Sequence, residues 1–173
     1  MSAMPTIALA LNYWLHLLAT VLWLGGLAML LLVAWPSLRP LSDADPAGES
    51  RLFEALERRF RPFANISLLV LIVTGIIQMG GDPHYEGFLR FDTPWTLTLL
   101  AKHVIIGGMV IVTALLQWVV YPALERARLL ARRDVADGRV LEATARRRLQ
   151  RLAAANLGLG VIVLLLTAYL TAL

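Results

Sequence analysis

Four apolar stretches, each long enough to cross a bilayer, alternate with segments that collect nearly all the charge. Residues 1–38 hold no charged residue. A hydrocarbon core about 30 Å thick takes roughly 20 helical residues. This stretch therefore predicts one long helix at about residues 7–35, which Pro36 helps to end. The second stretch covers residues 62–81, with Pro62 placed where a helix starts. The third covers 95–121 and is interrupted only by Lys102 and His103. The fourth covers 152–173. Tyr13, Trp14, Trp35, Trp95, Tyr121 and Tyr169 fall towards the ends of the runs, as an interfacial belt does. The expected fold is all-α: an integral membrane four-helix bundle, built as a single domain over residues 1–173.

Composition agrees with this pattern. The chain is 58% hydrophobic and 16% charged, with a mean hydropathy of +0.68, unlike a soluble domain of this length. It has no cysteine, which excludes disulfides, iron–sulfur clusters and thiolate sites. A net charge of +4 can mark a nucleic-acid binder. Here, however, the arginines sit in two segments beside apolar runs, so charge reports membrane topology and no nucleic acid is expected. The segment 36–61 carries five arginines and the segment 122–151 carries nine, against Arg90 alone in 80–94. The positive-inside rule then puts both arginine-rich segments in the cytoplasm and both termini outside a cell membrane. No basic region precedes the first run, so it is expected to be retained rather than cleaved. RLFEALERRF (51–60) and LEATARRRLQRL (141–152) are amphipathic and predict helical extensions on the cytoplasmic side.

The two halves resemble each other. Pro36 and Pro122 close their runs in VAWPSL (33–38) and VVYPAL (119–124). RRFRPFANISLLVLIVTG (58–75) echoes RRLQRLAAANLGLGVIVLLLTA (147–168), with Ala64-Asn65 against Ala155-Asn156. Two spans restore the original orientation, so this would be a parallel two-helix repeat. Strict proline register pairs His16 with Lys102. His103 comes one residue later, about 100° further round a helix.

His16 and His103 are the chemistry-bearing residues. An ionisable side chain inside a membrane is by default a functional hypothesis. The two stand at matching depth, on helices running the same way. Bis-histidine ligation of haem b in a bundle is the sharpest expectation. Copper is the other ligand considered, and a structural hydrogen bond is the bland alternative. Thr20 and Trp23 share the His16 stripe, while Gly25 and Gly107 would make room for a macrocycle. Lys102 is expected to be buried beside the site rather than snorkelling, because Trp95 is about 10 Å away along a helix. Residues 82–86 (DPHYE) give a weak metal signal and read as a polar loop.

LHLLATVLWLGGLAML (15–30) resembles the first helix of the CopD family, named for copper-resistance protein D. RRFRPFANISLLVLIVTG, WTLTLLAKH (95–103) and the proline closing the third run continue the likeness, which covers most of the chain. The pattern is also similar to the related HemJ-type protoporphyrinogen oxidases. The resemblance implies roles for His16, Trp23, Arg59 and Lys102, with Arg59 at the cofactor and Lys102 in catalysis. His103 rests on the residue argument alone. The resulting expectation is a haem b protein of one-electron transfer, linked to quinol or quinone, or a redox subunit among other membrane subunits or in a homo-oligomer. Its alternatives are a copper transport or resistance protein, a HemJ-like oxidase, and an accessory subunit without chemistry.

Topology is directly testable. Thiol labelling of Ser2→Cys and Asp137→Cys in intact cells should modify the first and spare the second until the membrane is breached. Labelling of both from one side contradicts the arginine argument.

Overall fold

The computed structural model describes residues 5–38, 45–81, 93–133 and 137–172. They form four long helices: α1 (Thr6–Leu38), α2 (Pro46–Gly80), α3 (Pro94–Arg132) and α4 (Gly138–Ala172). Each is long and apolar enough to span a membrane. The fold class is the expected one, all-α with four spans. The chain divides into two compact units, Met1–Arg90 and Phe91–Leu173. Each is a helical hairpin, α1 packing on α2 and α3 on α4. Residues 82–86 and Arg90, singled out in the sequence, lie outside the described residues.

The polarity of each hairpin suits lipid rather than water. Asn12, Ser67 and Thr74 are buried in the first, and Thr98 and Asn156 in the second. Leu17, Ile66, Leu69, Val104 and Trp118 are exposed. Hydrocarbon cannot satisfy polar groups, so these turn to the partner helix while apolar groups face outward.

Both prolines expected to stop helices sit inside them. Pro36 and Pro122 lie just beyond π-helical turns, Met29–Ala34 and Leu116–Val120. There the backbone bond spans five residues, from Trp35 N–H to Leu30 and from Tyr121 N–H to Leu116. A proline lacks the N–H and crowds the carbonyl four residues back. Widening the preceding turn lets the helix continue. Packing holds the last turn of α1 in place: Trp35 stacks on Phe53 of α2, ring centroids 5.1 Å apart, and Leu38 is buried. Pro62 is likewise interior to α2, which starts at Pro46 under an Asp45 cap on Gly48 N–H. Residues 46–61 are thus helical, because Glu49, Phe53 and Glu57 form one buried face.

The two π turns stand at matching distances from the histidines and the prolines. Met29 follows His16 by thirteen residues, and Leu116 follows His103 by thirteen. Pro36 and Pro122 each stand two residues beyond the end of the turn. The first turn has six residues and the second five. The spacings from His16 to Pro36 and from His103 to Pro122, twenty and nineteen residues, differ by the same one residue. Before the turns, His16 corresponds to His103; after them, the prolines correspond.

Two glycines allow close approach. A side chain at Gly26 would occupy the space of the Phe60 ring. At Gly138, after Asp137 at φ 68°, a Cβ would lie 2.7 Å from Ala131 N and 2.8 Å from Leu130 C. That backbone cannot yield. Gly138→Ala should therefore destabilise the second hairpin by about 1–3 kcal/mol, as overpacking does. Gly108→Ala, with nothing within 4 Å, should gain up to about 1 kcal/mol from helix propensity. Thermal unfolding in detergent checks the pair; equal shifts for both would refute the contact.

Candidate functional site

In the first hairpin a polar cluster is built around Thr74 of α2. The Thr74 hydroxyl donates to the Val70 carbonyl at 2.6 Å, one turn back in its own helix. The same oxygen lies 2.7 Å from His16 Nδ1 of α1. A hydroxyl has a single proton, so this second contact is one in which His16 Nδ1–H donates. Asn12, one turn before His16, donates its amide N–H to the Thr74 carbonyl at 3.2 Å. Asn12 and Thr74 are buried and His16 is half-buried. The Thr20 hydroxyl donates to the His16 carbonyl at 2.8 Å. Gly75 lies beside the ring: a Cβ there would be 3.7 Å from His16 Cε1.

In the second hairpin His103 reaches the same tautomer by another route. Its Nδ1 lies 2.7 Å from the Leu99 carbonyl of its own helix. A carbonyl only accepts, so Nδ1–H donates. On the spacing of Asn65 from Asn156, the position equivalent to Thr74 is Leu165, an exposed apolar residue. In both histidines Nδ1–H donates, which in a neutral ring leaves the lone pair on Nε2. That is the arrangement a metal-ligating imidazole adopts, with its far nitrogen bonded to a carbonyl or other acceptor.

The other expected residues lie on α1, α2 and α3. Thr20 touches His16 through its backbone. Trp23 is buried, 3% exposed, two turns along the same stripe of α1. Gly25 and Gly107 are exposed, and a Cβ at either would meet nothing within 4 Å. Lys102 is half-buried on α3, directly before His103. Arg59 is exposed on α2, fifteen residues before Thr74 and so about 22 Å along the helix axis. Within its hairpin, Arg59 is not brought to His16. Asn12 and Thr74 were not among the expected site residues. Their one sequence signal was polarity inside an apolar run, at helical spacing from His16 in the case of Asn12.

Deeper in the second hairpin the buried Asn156 of α4 donates from Nδ2 to the Thr113 hydroxyl at 3.0 Å. That hydroxyl in turn donates to the Met109 carbonyl at 2.9 Å. The Met109 side chain is itself buried. Counting along α3, His103, Met109 and Thr113 stand at successive depths, about 9 Å and 6 Å apart. Among the described residues no group of three or more His, Asp or Glu side chains gathers as a metal cage. The donors that the two hairpins do offer are imidazole and thioether, which suit copper in its softer state.

No curated protein matches the chain, and no solved structure does. The family of copper resistance protein D, CopD, matches it over residues 54–170. The matched stretch contains Thr74, Lys102, His103, Gly107 and Asn156, whereas His16, Thr20, Trp23 and Gly25 precede it. This finding supports the copper alternative over the haem reading, and it does not bear on the HemJ likeness. With more than half of its length matched, and four helices able to span a membrane, this chain belongs to the CopD family of copper-resistance membrane proteins.

Proposed function

We propose that this protein handles copper as cargo within the membrane, with His103 and His16 as its imidazole ligands. The observation that carries the reading is His103. It lies inside the family stretch, within an apolar helix, with Nδ1–H given to Leu99 O and the lone pair on Nε2. Neutral imidazole binds copper through such a nitrogen.

The chemistry suits passage better than storage. A conducting route needs sites that bind well enough to admit an ion and weakly enough to release it. A cage of three or four ligands would hold copper too tightly. Single imidazole donors, such as His103 on α3 and His16 on α1, offer short-lived coordination instead. The hydroxyl and amide of Thr113 and Asn156 come next at greater depth. Lys102 stands directly before His103 on α3, half-buried in the same apolar run.

A second reading keeps the same histidines as axial ligands of haem b, serving one-electron transfer from quinol. It is favoured by their shared Nδ1–H tautomer.

One preparation separates the two. In sealed vesicles the purified protein should carry copper, and His103→Ala should cut the flux more than about tenfold. Loss of an outer-shell partner alone costs about 10–100-fold in affinity, and loss of a ligand costs no less. Flux unchanged in His103→Ala would reject the copper reading. A Soret band with sharp reduced α and β bands, lost in both His16→Ala and His103→Ala, would establish haem instead.

A further inference from the structure

We propose that Thr74 is a positioning residue that fixes which ring nitrogen of His16 carries the proton, and that Asn12 holds Thr74 in place for this task. The inference rests on the copper reading only where copper affinity is concerned; the tautomer claim stands on geometry alone.

Counting protons decides the direction of the contact. The Thr74 hydroxyl has one, and the Val70 carbonyl at 2.6 Å takes it, with Leu71 O at 3.4 Å as a weaker second acceptor. The oxygen is then a pure acceptor towards α1. His16 at 2.7 Å must present N–H to it, so the ring is protonated at Nδ1 and not at Nε2. A neutral imidazole has one N–H and one lone pair, so fixing the first fixes the second.

Two features show that the contact is built rather than incidental. Thr74 is 5% exposed and Asn12 6% exposed, so water does not compete for either. Asn12 donates to the backbone carbonyl of the same residue whose hydroxyl receives His16. Two side chains one turn apart on α1 thus grip one residue of α2, through its main chain and its side chain together. The Thr20 hydroxyl bonds to the His16 carbonyl from the other side along α1. Asn12 thus holds Thr74, and Thr74 sets the tautomer of the ring.

His103 provides the internal comparison. Its Nδ1 proton goes to the Leu99 carbonyl, an acceptor on its own helix that no side-chain substitution removes. The tautomer of His16 is thus genetically adjustable, and that of His103 is not. Thr74→Val keeps the shape of the side chain and deletes the acceptor. With no acceptor opposite Nδ1, the proton of His16 moves to Nε2 and the lone pair to Nδ1.

The test uses the full-length protein without metal, labelled with nitrogen-15 in histidine. The ring-nitrogen shifts should show Nδ1 protonated in the wild type and in Thr74→Ser. In Thr74→Val the proton should move to Nε2 of His16, with His103 unchanged. Thr74→Ala serves if the valine variant does not fold. Cu(I) affinity, measured by competition with a chelator, should fall about 10–100-fold in Thr74→Val and recover in Thr74→Ser. An unchanged His16 tautomer in both Thr74→Val and Thr74→Ala overturns the inference. A shifted tautomer with unaltered copper affinity upholds Thr74 as the positioning residue and removes His16 from the copper ligands.

Discussion

Hydrocarbon has no hydrogen bonds to offer, and this constraint organises the polar clusters of the two described hairpins. A donor or acceptor in a membrane span must be satisfied by the protein or left at a cost. The two hairpins meet the demand by turning Asn12, Thr74, Thr98 and Asn156 inward and by returning threonine hydroxyls to carbonyls one turn back. The consequence for chemistry is direct. Once a threonine has committed its proton to its own helix, its oxygen can only accept. A histidine that meets it must then donate, so the need for backbone-like satisfaction in lipid decides the protonation pattern of an imidazole.

The same constraint explains the helix ends. Proline should break a span, and in water the freed carbonyls would be hydrated. Here Pro36 and Pro122 are absorbed by turns with more residues each, and the helices run on to bury Leu38, Leu124 and Ala127. The Trp35–Phe53 stack shows what the continuation gains: an aromatic pair that joins the ends of α1 and α2. In the second hairpin the extension is amphipathic, and the Glu142–Arg146 pair at 3.3 Å lies along α4 at helical spacing.

Much of this was legible in the amino-acid order. Four spans follow from apolar length, and the histidines stand out because ionisable groups are rare there. The repeat was visible in the prolines and in Asn65 and Asn156. Its one-residue misfit at His16 was not resolvable, because a π turn leaves no residue signature beyond the proline after it. The partner of His16 was also hidden. Nothing in sequence sets the register of α2 against α1, so Thr74 looked like any threonine in a span. The extension of α2 through Pro62 depends on the packing of Glu49, Phe53 and Glu57, which amphipathic spacing suggested and the proline argued against. The family finding shifted the functional balance from haem to copper, a distinction that two imidazoles cannot make by themselves.

The central claim is that copper meets imidazole Nε2 in this membrane. X-ray absorption at the copper edge of the Cu(I)-loaded protein in lipid tests it most directly. The account predicts nitrogen scatterers with the outer-shell pattern of an imidazole ring, diminished in His103→Ala. A spectrum without imidazole scattering, or one identical in His103→Ala and His16→Ala to that of the wild type, would contradict it.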